Sequence, residues 1–196
     1  GAGLGRDHAH GGRTGAAQVL MDNGGSVEGY VVALCHDGAE LTLSSIDVGA
    51  AATAQGADFS AADVFGNGGT LGVVIDLVAP FSNATIPAGK GNHIATYNYC
   101  CVTRPAPGAS EVHDLTFCDN TLGSPLKENV MVVGGLSVQP TLENGTFTCV
   151  GPPADPCRDG IDNDGDGKID GDDTDGGECP PPPGQMFACG ARRQDS

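Results

Sequence analysis

From Ala17 to Val150 every apolar run is short and is cut off by Gly, Pro, Asn-Gly or Asp-Gly. That punctuation leaves no room for long amphipathic helices. The runs are rich in Val, Ile, Thr and Tyr, the residues that suit a pleated, half-buried surface. They predict strands at Gln18–Asp22, Val27–Cys35, Leu41–Val48, Thr70–Val78, His93–Val102, Val112–Phe117, Asn129–Val133, Leu136–Val138 and Thr146–Val150. In Leu41-Thr-Leu-Ser-Ser-Ile46 the apolar/polar alternation expects a sheet with one wet face. Asn23-Gly24-Gly25, Asp37-Gly38 and Asn144-Gly145 are expected to supply the positive φ of hairpin turns. Phe59–Phe65 (FSAADVF) reads as a helix of at most two turns. Strands this short and numerous within residues 17–150 define an all-β chain, a β-sandwich.

Composition narrows the function. The longest apolar stretches, Val31–Cys35 and Leu71–Ala79, are too short to span a bilayer as a helix, so no membrane span is expected. The 32 glycines follow no three-residue period, which excludes collagen, and the apolar runs exclude global disorder. With 25 acidic against 9 basic residues the formal charge is −16, so nucleic acid is not an expected partner. The sequence starts at Gly1 without Met, and is expected to be a processed mature chain. Four regions follow: a Gly-rich flexible arm (1–16), the sandwich (17–150), an acidic segment (151–179), and a spacer headed by Pro180–Pro183 with an apolar tail (180–196).

Eight cysteines, with no CxxC, favour disulfides in an oxidising, extracellular or cell-surface location over a zinc ribbon or haem site. Cys100 and Cys101 are adjacent, and adjacent thiols seldom pair with each other, so each needs its own partner. A bridge between Cys157 and Cys179 would close a loop around the acidic segment.

That segment holds ten acidic and two basic residues between Asp155 and Glu178, half the formal charge. Its register fits a twelve-residue calcium loop. Asp162, Asp164 and Asp166 stand at positions 1, 3 and 5, Gly167 at the sharp turn, and the Lys168 carbonyl at position 7. Asp170 and Asp173 take positions 9 and 12. Alternate residues then converge their oxygens on one hard cation, Ca2+, and without it the carboxylates would repel. No amphipathic helix flanks the loop, which argues against a helix–loop–helix sensor. The run from Cys157-Arg-Asp159-Gly-Ile-Asp162 to Cys179 resembles a thrombospondin type 3 repeat. The resemblance implies a calcium-wrapped, nearly helix-free segment, often with a disulfide and more than one ion. Asp159, Asp172 and Asp175 are the spare carboxylates for a second ion.

The sandwich carries a second resemblance. Val27-Glu-Gly-Tyr-Val-Val-Ala-Leu-Cys-His-Asp37, followed by Leu41-Thr-Leu-Ser-Ser-Ile-Asp47, resembles the opening of a cohesin-type jelly roll, and the likeness extends over 18–150. Cohesins bind dockerins, which carry EF-hand-like loops. The family has a strand before the one at Gln18–Asp22, where this chain has only Gly1–Gly15, poor strand material. A missing first strand would leave an open edge, and Gln185–Cys189 is a spare apolar segment. From this follows an expectation of head-to-tail fibres by strand addition.

Weaker signals remain. Asp7-His8-Ala9-His10 is read as solvated arm rather than a metal site. His36-Asp37 and His113-Asp114 are read as strand-end residues, because no nucleophile motif accompanies them. Asn83-Ala-Thr85 and Asn144-Gly-Thr146 are glycosylation sequons. With no Trp, 3 Tyr and 6 Phe, a stacked-ring glycan platform is disfavoured. The chain is therefore expected to be a secreted, non-catalytic structural protein. It would be a calcium-stabilised block of a fibre, matrix or surface assembly, with self-association. An adhesion module for protein or glycan, or an accessory domain of a larger secreted enzyme, is the alternative.

Overall fold

The computed structural model describes residues 2–5 and 14–152, and the acidic segment and tail lie outside them. In chain order the elements are β1 (Ala2–Gly5), β2 (Thr14–Asn23), β3 (Gly29–Cys35), β4 (Leu41–Val48), a single helical turn α1 (Ala50–Thr53), β5 (Phe59–Phe65), β6 (Gly68–Val74), β7 (Gly89–Cys101), β8 (Ser110–Phe117), β9 (Val130–Val133), β10 (Leu136–Val138), β11 (Leu142–Glu143) and β12 (Gly145–Val150). One sheet runs β11-β1-β2-β7-β4, and the other β10-β9-β3-β6-β5, with the β8–β12 pair attached at the end of β3. The result is a jelly-roll-like β-sandwich. No described helix is long and apolar enough to cross a membrane.

Alternation builds the layers. Ala17, Val19 and Met21 of β2 point inward, as do Tyr30, Val32 and Leu34 of β3 and Leu71 and Val73 of β6. In β4 strict alternation from Leu41 and Leu43 would turn Ser45 inward. A bulge between Leu43 and Ser45 restores register, so that Ile46 opposite Tyr97 reaches the core instead. Tyrosines stitch the sheets in both directions. The Tyr30 hydroxyl donates to the Ile94 carbonyl at 2.6 Å, and the Tyr97 hydroxyl reaches the Val32 and Gly69 carbonyls at 3.4 Å each. Burial holds both phenols well above their usual pKa.

Two disulfides clamp the ends. Cys35–Cys118 joins β3 to the segment after β8, and Cys101–Cys149 joins β7 of one sheet to β12. Closing loops of 83 and 48 residues removes much denatured-state freedom, about 4 kcal/mol each in the chain-entropy model. Cys100 is also disulfide-bonded, so the two adjacent cysteines do take separate partners. These bonds indicate an oxidising environment. Cys157 and Cys179, whose pairing would close a loop around the acidic segment, lie outside the described residues.

Several expectations are corrected. Phe59–Phe65 is a strand and not a helix, paired in full with β6. Its side chains are exposed on both faces, so no burial pattern marks it. The helical turn falls instead on Ala50–Thr53. The stretch read as arm contributes β1 and the start of β2. Ala2–Gly5 pairs antiparallel with β2 and, through Ala2 and Gly3, parallel with β11. The first strand is thus present, and the open edge that motivated strand addition is occupied. The turn glycines Gly24, Gly25 and Gly38 do not adopt positive φ; Gly134 and Gly135 do, between β9 and β10. Gly38 is required for a different reason, because a Cβ there would collide with the Gly66 carbonyl.

Candidate functional site

The sequence-derived site residues Asp159, Asp162, Asp164, Asp166, Lys168, Asp170, Asp173 and Asp175 all lie outside the described residues, as do His8 and His10. Among the described residues no cluster of three or more His, Cys, Asp or Glu could hold a metal ion. His113 donates through Nδ1–H to the Glu40 carboxylate at 2.8 Å rather than engaging Asp114. The His36 ring is buried edge-on to Tyr99, with centroids 5.2 Å apart, and beside the Leu41 backbone. Asn144 of the second sequon accepts the Phe117 amide through its side chain, while Asn83 is exposed at φ 60°.

The described residues that form a site are different ones. They lie on the outer face of β5, β6, β3 and β9. Outward positions include Val31 of β3, Thr70, Gly72 and Val74 of β6, Phe59, Ala61 and Asp63 of β5, and Val130 and Val132 of β9. Together with the loop after β6 they line an open cleft of about 650 Å³. A solvated face of an antiparallel sheet normally carries polar residues. Here valine, alanine, glycine and phenylalanine outnumber the polar Thr70 and Asp63. Gly72 deepens the centre: a Cβ there would meet only Val31 Cγ2 at 3.9 Å, so the glycine is not demanded by packing.

The walls are built by local hydrogen bonding. Asp58 Oδ2 accepts the Leu77 and Val78 amides at 2.8 and 2.9 Å. The Val78 and Leu77 bonds hold the Asp58 carboxyl below its usual pKa. Asp76 accepts the Asn83 amide across the same loop. This closed loop presents Leu77, Val78 and Phe81, all more than half exposed, with Phe81 on the cleft wall. On the opposite side Asn129, almost fully buried, solves a pairing problem. The outer edge of β3 changes partner, from β9 at residues 29–31 to β8 at 34–35. At that junction the Ala33 amide donates to Asn129 Oδ1 at 2.8 Å, and Asp119 Oδ1 accepts both nitrogens of Asn129. The rim is acidic, with Glu28, Asp63 and Asp76 against Lys127.

These cleft residues were missed by motif reasoning because none is chemically reactive. One signal pointed to them. Val27–Cys35 and Thr70–Val78 are apolar at consecutive rather than alternate positions, which means both faces of the strand prefer cover.

No protein-family model and no curated protein matches the chain. Solved structures do match in fold. The sixth cohesin of scaffoldin B from Acetivibrio cellulolyticus, solved with a Cel5 dockerin mutant, is 14% identical with TM-score 0.55, covering 76% of this chain and 96% of that one. The OlpC cohesin of Clostridium thermocellum, in a type I complex with dockerin 435, is 11% identical with TM-score 0.56, covering 76% and 92%. The seventh type I ScaB cohesin of Pseudobacteroides cellulosolvens is 15% identical with TM-score 0.54, covering 76% and 91%. At these identities the likeness establishes the fold: the described residues form a cohesin-like β-sandwich.

Proposed function

We propose that this chain is a non-catalytic, protein-binding module of an extracellular assembly, and that its partner docks on the β5-β6-β3-β9 face. The observation that carries this reading is the open, valine- and glycine-floored cleft with an acidic rim on a face that would otherwise be polar. An apolar centre ringed by charge is the usual anatomy of a protein interface. The fitting partner presents an aliphatic or aromatic ridge flanked by Lys or Arg. Cohesins solved with dockerins support a protein rather than a glycan as the ligand class. The scarcity of aromatic platforms points the same way.

The acidic segment is proposed to bind Ca2+ through Asp162, Asp164, Asp166, the Lys168 carbonyl, Asp170 and Asp173. Asp159 and Asp175 would serve a second ion, in the manner of a thrombospondin type 3 repeat. Millimolar extracellular calcium suits such a loop, which would stiffen the chain rather than signal. Fibre formation through the tail loses its motive now that β1 occupies the first-strand position.

The test immobilises the full chain and a Gly72→Arg variant of equal thermal stability and passes the source's secreted proteins over both. A protein retained by the parent and lost by the variant supports the reading. Retention of glycans alone, or equal retention by both, overturns it. Calorimetric titration of chelator-treated chain with Ca2+ checks the loop. Heat that survives the double change Asp164→Asn and Asp166→Asn would exclude that site.

A further inference from the structure

The β5 edge is shaped for a second copy of itself, and this follows from hydrogen-bond parity. The His36 amide donates to the Asn67 carbonyl, and Ala33 bonds on the opposite side, to Asn129 and Cys118. Even-numbered residues of β3 therefore face β6. In β6 the odd-numbered residues face β3 and the even-numbered ones face β5. Phe59, Ala61, Asp63 and Phe65 stand opposite Val74, Gly72, Thr70 and Gly68, so their backbone groups are spent on β6. The amides and carbonyls of Ser60, Ala62 and Val64 then point out of the sheet, at the end of the strand order.

An exposed edge of this kind is a template for another strand. Its sequence is self-complementary. Antiparallel pairing about Ala62 sets Ala62 opposite its copy, Ser60 opposite Val64, Ala61 opposite Asp63, and Phe59 opposite Phe65. The outward-pointing backbone groups of Ser60, Ala62 and Val64 all meet partners. The two phenylalanines fall in the non-hydrogen-bonded sites, where side chains approach most closely. Phe59 is 45% exposed and Val64 46%, so both gain cover. Asp63 meets alanine rather than its own copy, so the register avoids direct like-charge opposition. The two Asp63 side chains become diagonal neighbours, which weakens the contact without forbidding it.

We propose that β5 forms a two-fold, edge-to-edge dimer, making one continuous sheet in which the clefts of two copies lie side by side on the same face. This holds whether or not the cleft binds a protein partner. A contact of one strand pair is small, so association is weak and concentration-dependent.

The experiment is sedimentation of the full chain from about 10 µM to about 1 mM, a range suited to a small interface. It is paired with amide exchange at both ends of the range. The expected result is a mass rising from one chain toward two, with slowed exchange at Ser60, Ala62 and Val64 only at high concentration. Ala62→Pro removes an outward N–H that no described residue of the monomer accepts, so the variant stays monomeric with its fold intact. Ala62→Lys gives the same reading if the proline disturbs folding, and Asp63→Asn shifts the midpoint several-fold lower. A single chain at every concentration overturns the proposal. So does a dimer indifferent to both Ala62 changes, and so does growth beyond two chains.

Discussion

The two outer faces of this sandwich obey the same backbone geometry and differ in the balance of their surface chemistry. On the β2-β7-β4 side the outward positions include Gln18, Thr42, Ser45, Asp47, Thr96 and Asn98 beside Ala16 and Leu20. Their polar groups are turned on each other: the Asn98 amide donates to Ser45 Oγ at 2.9 Å and to Asp47 Oδ2 at 2.7 Å, and Ser44 Oγ donates to the Asn98 carbonyl. That face satisfies itself and water. The β5-β6-β3-β9 face sets half-buried valines and exposed Phe59 and Phe81 around a glycine floor. The difference teaches where a partner belongs, since exposed apolar surface is costly unless something covers it.

The strongest way to break this contrast is to fill the cleft. Gly72→Arg is expected to weaken partner binding at least about 100-fold, some 2.8 kcal/mol, while Thr96→Arg on the other face leaves affinity unchanged. Titration of both variants against the captured partner decides it. Next, Asn129→Leu orphans the Ala33 amide and should cost about 2 kcal/mol of stability, read by urea unfolding, because a buried unpaired donor loses its full solvation. It would collapse the β9 wall while leaving the polar face intact.

A subtler change sharpens the role of glycine. Gly72→Val suits a strand better and should raise stability by about 0.5–1 kcal/mol while still weakening binding. A variant that is more stable and still binds fully would make Gly72 incidental.

Between the faces, burial holds the His36 imidazole below its usual range, opposed by the Leu41 backbone and Asp37. The folded state therefore binds this proton less readily than the unfolded chain, whose histidine titrates near pH 6.5. The associated stability is complete above about pH 6.5 and is lost as pH falls toward the lower folded value. Melting temperature should drop over that window, and less so in His36→Leu. The smallest effect is expected for Asn98→Ala, about 1 kcal/mol or less by thermal melt, since its partners reach water.

How much was legible varies by element and for definite reasons. β4 and β10 were read to the residue because alternation and flanking turns bound them. β5 was misread because both its faces are exposed, leaving an apolar-small run without a period. β1 was invisible because Ala-Gly-Leu-Gly has little intrinsic strand preference; it is a strand because β2 and β11 bond it on both sides. The helical turn at Ala50–Thr53 was passed over as too short to show periodicity. Disulfide partners and the cleft were out of reach, since each joins residues far apart in the chain.

Sequence alone determined that the chain is a sandwich of short strands in an oxidising setting, because turn chemistry, β-branching and cysteine usage are local or compositional. It also wrote the calcium-loop register, an expectation carried entirely by spacing. Only the tertiary structure decided which faces of β3, β5, β6 and β9 meet across a cleft, that β5 ends the strand order of its sheet among the described residues, and that Cys35 pairs with Cys118 and Cys101 with Cys149. Those depend on strand order, and strand order is set by the packing of the whole core rather than by any one segment.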